Sequence, residues 1–195
     1  MVTDPFAPLR GISRSDKEEN HLQPFRGRTD IIIKTMAPLS NSQRQSAEAF
    51  EISYPGEYEI KNVSIRGWAI TASSIKYQVS SLRSVYLLEI DDLKIVLLGH
   101  LVDENKIKNV QEYLEDADIV FAPAGGEPLI KAEAMAKLIR QLKPSLVIPT
   151  LFNNLEDLKP FLKELGKNNA EPQEKLTISK KGLSKEKMLI GCLKI

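Results

Sequence analysis

The 195-residue chain holds only two histidines, His21 and His100, few for a protein built around a zinc centre, whose usual donors are His and Cys. Cys192 is its single cysteine, which excludes an internal disulfide and suits a reducing compartment such as the cytoplasm. No run of about eighteen apolar residues occurs, so no transmembrane helix is expected. The first residues, Met1 to Phe6, lack the basic stretch and apolar run of a secretory signal. Aromatic residues make up only 6% of the chain and the formal net charge is +1. Neither a positive field nor a set of stacking rings is therefore present to attract nucleic acid or an anionic membrane.

What remains is an ordinary folded composition, 42% apolar and 27% charged, in one domain spanning 1–195. Residues 29–35 carry Ile31-Ile32-Ile33, a β-branched run of buried-strand type, and 42–49 have the composition of a short helix. Between them and the N-terminal Val2-Thr3-Asp4-Pro5 lies a long polar loop, over 7–28. Phe50-Glu51-Ile52 is a short strand. Two hairpins follow, turning at Lys61-Asn62 and at Asp91-Asp92. Beyond residue 100 the pattern changes to alternating helix and strand. Asp103 is placed to cap a helix carrying Ile107, Val110 and Leu114. Strands are expected at 118–121, 146–148, 176–179 and 188–193. A helix over 130–142 would bury Ile130, Ala134, Leu138 and Leu142. A later helix is expected to be capped by Asp157, with Pro160 in its first turn and Gly166 past its end. A β-meander followed by β-α repeats defines a mixed α/β domain with helices covering sheets.

Several segments, in this order, resemble the metallo-β-lactamase superfamily, in particular compact bacterial metal-dependent hydrolases related to the ascorbate-6-phosphate lactonases. They are Thr3-Asp4-Pro5-Phe6, Thr29-Asp30-Ile31-Ile32, Tyr54-Pro55-Gly56-Glu57-Tyr58, Val63-Ser64-Ile65-Arg66-Gly67 and Val85 through Ile95 leading to Gly99. Ala117-Asp118-Ile119-Val120-Phe121-Ala122-Pro123-Ala124-Gly125-Gly126 and Lys143-Pro144-Ser145-Leu146-Val147-Ile148-Pro149-Thr150 complete the set. The resemblance implies a four-layer αββα sandwich whose first strands, before the Asp-Pro turn, are missing here. Unpaired strand edges would then favour a protein partner or a second copy of the chain.

The resemblance also implies a zinc, iron or manganese site, and this sequence departs from it. Where the family carries a His-x-His-x-Asp-His motif, the chain reads Met36-Ala37-Pro38-Leu39-Ser40-Asn41. His100 stands in the position of the bridging aspartate, and Leu151 in that of a late histidine. A catalytic zinc wants three protein ligands and a water, whose pKa it lowers to about 7. The expectation is therefore a family member with no catalytic residues, no metal ligands and no cofactor. Its vestigial pocket would be lined by Asp4, Met36, Pro38, Asn41, His100 and Leu151. Such a chain would be a binding or assembly module.

The alternative is a Zn/Mn-dependent hydrolase of phosphoesters or lactones using His100 with Asp103 and Glu104. For individual residues two meanings stay open. His100 is either a base or anion-binding donor, or a polar loop residue; Asp4 either positions site groups or caps its own turn. Gly125-Gly126 either admits a phosphate or makes a strand-to-helix turn. The lysines Lys159, Lys163, Lys167, Lys175, Lys180, Lys181, Lys185 and Lys187 are expected to form a solvated face, and Cys192 a buried thiol.

Overall fold

A computed structural model describes residues 1–4, 28–38, 49–70, 81–168 and 170–194. The two hairpins form as the sequence predicts. Strands β5 (Gly56–Ile60) and β6 (Val63–Ala69) pair antiparallel, as do β7 (Ser81–Ile90) and β8 (Leu93–Leu97). Each turn has positive φ at both central residues, 50° and 63° at Lys61-Asn62 and 50° and 62° at Asp91-Asp92. That geometry matches the twist of the strands it joins. Strand β7 starts at Ser81, and its first residues pair with β3 (Met36–Pro38).

Two parallel strands, β9 (Ile119–Pro123) and β10 (Leu146–Thr150), extend the sheet beyond β8. With β12 (Leu189–Ile190) at the far edge, the order is β12-β10-β9-β8-β7-β6-β5. A second sheet of three parallel strands runs β1-β2-β4, from Val2–Thr3, Ile31–Ile33 and Phe50–Ile52. A small pair, β11 (Pro172–Gln173) with β13 (Cys192–Leu193), lies at the C-terminal end.

Alternation along the strands of the large sheet fills two cores. On one face Val85, Leu87 and Val96 meet helices α1 (Gln111–Leu114), α2 (Ala132–Leu142) and α3 (Leu155–Glu164). On the other, Ile65, Tyr86 and Leu88 pack against Ile31, Ile33 and Ile52 of the small sheet. Described residues thus give a helical layer and two stacked sheets, three of the four layers expected of the sandwich. The helix expected at 42–49 lies, apart from Ala49, outside the described residues, as does nearly all of the loop expected at 7–28.

Four local expectations change. Asp103 caps a short 3₁₀ helix, Glu104–Ile107, and α1 follows separately, because Ile107 and Leu114 reach the core from two turns rather than one helix. The buried stripe of α2 is Met135, Leu138, Ile139 and Leu142, with Ala134 only half-buried. Helix α3 begins earlier than expected because Asn154, not Asp157, accepts from the amides of Glu156 and Asp157 at 2.9 and 3.1 Å. Pro160 consequently falls inside the helix rather than in its first turn.

The strand expected at 176–179 is instead an irregular cover. Leu176, Ile178 and Leu183 lie on Ile119, Leu146 and Ile148. Lysines pin that cover to the sheet: Lys180 donates to the carboxylate of Asp118, and Lys185 lies 3.7 Å from its other oxygen. The strand expected at 188–193 is broken at Gly191 into β12 and β13, which pair with different strands.

Candidate functional site

The carboxyl ends of the parallel strands of both sheets converge. Asp4 follows β1, Thr35 follows β2, Gly99-His100 follow β8, Gly125 follows β9 and Leu151 follows β10. Crevices beyond the carboxyl ends of strands are where α/β sheets bind ligands. A cleft of about 190 Å³ opens here, lined by Asp4, Thr35, Gly99, Thr150 and Leu151 among others. It has room for a small ion or functional group, below the size usual for a drug-like ligand.

Asp4 sits in the left-handed region, at φ 42°. Its own amide donates to Ile33 O, locking it onto the end of β2. One carboxylate oxygen accepts from the Thr35 amide and the other from the Thr35 hydroxyl, each at 2.7 Å. Asp4 therefore does not cap its own turn. Thr35, only 1% exposed, also lies 2.7 Å from His100 Nδ1 through the same hydroxyl oxygen.

A threonine hydroxyl has one proton, and here it goes to the carboxylate, which can only accept. Nδ1 must then carry a hydrogen and donate it to Thr35 Oγ1. The chain Asp4–Thr35–His100 thus fixes the imidazole tautomer and leaves Nε2, on the far side of the ring, as the acceptor in the neutral form. Burial holds the imidazole below its ordinary value of 6.5. The Arg83 charge adds to that lowering, and the Asp4 charge opposes it.

Two glycines allow close approaches at these strand ends. A Cβ at Gly99 would stand 2.1 Å from Thr35 Oγ1, so only glycine lets the threonine reach over the strand end to His100. A Cβ at Gly125 would stand 2.2 Å from Leu151 O, so Gly125 admits the Leu151 backbone. Gly126, at φ 73°, completes the turn out of β9.

The other candidates are placed as follows. Met36, 40% exposed, lies directly opposite Arg83 in the β3–β7 pair, and Pro38 lies opposite Ser81. Leu151 is 37% exposed at φ 54° and lines the cleft. Asn41 and His21 lie outside the described residues. Asp103 accepts from the amide and side chain of Asn105 at 2.9 and 2.8 Å, and that backbone hydrogen bond leads the causes holding its carboxyl below the usual range. Cys192 is buried, which raises its thiol above the ordinary value. Asp30 pairs with Lys61.

Sequence reasoning missed Thr35 and Arg83. Thr35 had a legible signal, a lone hydroxyl immediately after a buried strand. Arg83 had little, because nothing showed that β7 reaches back to it.

The metal centre that the fold implies needs several converging donors. Here Met36 offers a soft thioether, and Pro38 and Leu151 have no donor side chain at all. Both oxygens of Asp4 are engaged by Thr35. Among the described residues no group of three or more His, Cys, Asp or Glu is placed to hold an ion. These residues do not fit a hydrolytic metal site.

The sequence from 2 to 151 matches the model of the β-lactamase superfamily domain, and the chain belongs to that family. A Thermotoga maritima protein assigned as a Zn-dependent hydrolase of the metallo-β-lactamase superfamily has a similar structure. The TM-score is 0.65 at 17% identity, over 99% of this chain and 90% of that one. A metallo-β-lactamase fold protein of Bacillus subtilis gives 0.51 at 6% identity, over 84% of this chain and 62% of that one. At such identities the likeness concerns the fold. A comparison with curated proteins finds no match. No helix among the described residues is long and apolar enough to cross a membrane.

Proposed function

We propose that this chain is a metallo-β-lactamase-fold domain that has given up the hydrolytic metal centre and works as a non-catalytic binding module. The observation that carries the reading is the chemistry at the strand ends. Of the placed positions where the resemblance implies ligands, only His100 retains a nitrogen donor. Among the described residues the scaffold around that position is nevertheless kept, down to the glycines that let Thr35 and Leu151 close in. A scaffold maintained around a pocket without its ion suits binding better than turnover.

Assembly is part of the same reading. On its outer side β5 has no partner strand among the described residues. Nearby Phe50, 51% exposed, meets Tyr58 edge-on at 6.4 Å. A protein partner or a second copy would pair along that edge. The single buried cysteine agrees with a cytoplasmic setting.

A hydrolase with a non-standard site is the second reading. What favours it is the fixed tautomer of His100, which presents Nε2 as a metal ligand is commonly presented. Against it, the Asp103 carboxylate is committed to Asn105. Turnover of generic phosphodiester and lactone substrates, with and without added Zn²⁺ and Mn²⁺, separates the two. The binding-module reading expects no metal-stimulated rate. A metal-stimulated rate that disappears in His100→Ala would replace it with the hydrolase.

A further inference from the structure

We propose that Arg83 and His100 form a receptor for a small oxyanion that carries its own hydroxyl group, hydrogen phosphate or an α-hydroxy acid being the chemical class. The proposal deepens the binding-module reading and rests on it.

The argument starts from the β3–β7 pair. Met36 and Arg83 are directly opposed across two antiparallel strands, and opposed residues project from one face of a sheet. Met36 occupies the position that the resemblance gives to the first metal ligand. Arg83 therefore shares the face on which a cation would otherwise be held.

The Nε–H of Arg83 is buried and has no hydrogen-bond partner among the described residues. Among the described residues no carboxylate pairs with its guanidinium either. A guanidinium is a fork of five donors with no acceptor, shaped for two oxygens of one anion. Arg83 as a whole is half-buried, but a desolvated N–H without an acceptor is costly, and an anion supplies what is missing.

His100 decides which anion. Its next-door contact is fixed, because Thr35 O accepts from the Ser84 amide beside Arg83 and Thr35 Oγ1 holds His100 Nδ1. Burial chiefly, with the Arg83 charge in addition, lowers the basicity of the imidazole against the opposing Asp4 charge. The neutral ring then offers a lone pair at Nε2 instead of a second positive donor. A bare oxyanion would meet repulsion there, whereas an oxyanion with a hydroxyl donates to Nε2 and places its charge on Arg83.

Phosphate and sulfate separate these cases, since they match in shape but only phosphate keeps an O–H at neutral pH. Protein freed of metal with a chelator is titrated with each anion at constant ionic strength, following the side-chain resonances of His100 by NMR. Glycolate against acetate repeats the comparison for carboxylates and tells the two ligand sources apart. The expected result is saturable phosphate binding that beats sulfate by about fivefold or more, the worth of one hydrogen bond. Arg83→Gln should weaken phosphate by about tenfold, and Arg83→Lys by less, since it keeps the charge without the fork. His100→Gln should abolish the preference for phosphate, while Lys159→Gln on α3 should change nothing.

Equal binding of phosphate and sulfate, or binding indifferent to Arg83→Gln in a folded variant, overturns the proposal. If Arg83→Gln does not fold, Arg83→Lys decides in its place, and binding equal to the parent's overturns the proposal. Metal content is measured first on untreated protein. Stoichiometric metal would fell the binding-module reading, whereas metal-free protein that ignores the hydroxyl fells only this inference.

Discussion

Two carboxylates at opposite ends of the parallel strands have opposite surroundings. Asp118 precedes β9, with its side chain 3% exposed. It accepts from the Lys94 amide and from Lys180, and it has Lys185 at 3.7 Å. Among the described residues Asp4, which follows β1, accepts only from Thr35, which passes the connection on to His100. The Asp118 carboxylate itself is fully met, and the irregular C-terminal cover is tied down by it, while the buried Ser145 hydroxyl at the same end has no partner among the described residues. At the Asp4 end an imidazole nitrogen and a guanidinium N–H are left over. One end of the sheet holds its buried carboxylate fully paired, and the other leaves a cationic donor and an imidazole nitrogen over.

The comparison can be broken from either side. The largest effect is expected from Asp118→Ala, which leaves the Lys94 amide and Lys180 without their acceptor and Lys185 without its nearby counter-charge. The loss should be about 3 kcal/mol in urea unfolding, held below the full value for a buried pair because both lysines are half-exposed. Thr35→Val keeps the shape and removes only the shared hydroxyl. It should cost about 1–2 kcal/mol. The informative readout is the ¹⁵N spectrum of His100, expected to show hydrogen on Nδ1 in the parent and a mixture of tautomers in the variant.

Acid should separate the two ends without mutation. The basicity of His100 is lowered on folding, so the unfolded chain takes up the proton first. Its contribution is therefore lost as pH falls from the ordinary value of 6.5 toward the depressed folded one. Asp118 acts lower. Burial raises its carboxyl, but hydrogen bonds from Lys180 and the Lys94 amide outweigh that and leave it below the ordinary 3.8. Its contribution is present above 3.8 and lost as pH falls through the folded value. Stability plotted against pH should show an upper decline that His100→Asn removes and a lower one that it leaves. The smallest effect is expected from Lys180→Ala, below about 1 kcal/mol, since Lys185 remains and the side chain is half-exposed.

The sequence carried the scaffold well wherever one local rule sufficed. Asp91-Asp92 and Lys61-Asn62 lie between alternating runs, and hairpins form there. Gly166 ends α3 as expected, at φ 71°. It carried less where two candidates competed, as at Asn154 and Asp157, because register is chosen by the burial of Leu158, Phe161 and Leu162. Segment 176–183 illustrates another limit. Its apolar residues pack on the sheet without joining it, and alternation alone cannot tell a covering segment from a strand.

At the site, the lack of strong donor side chains at Met36, Pro38 and Leu151 was legible from the residue types. The contact between Asp4, Thr35 and His100 was not, because it joins residues 31 and 65 positions apart in sequence. Arg83 was hidden for the same reason, its meaning depending on the register with Met36.

The central claim is about donors: the strand ends no longer gather enough of them to keep a divalent ion. Protein produced in zinc- and manganese-supplemented medium, purified without chelator and analysed by inductively coupled plasma mass spectrometry tests it directly. Far less than one equivalent of any transition metal per chain is predicted. About one or two equivalents, retained through extensive dialysis and lost in His100→Ala, would contradict it.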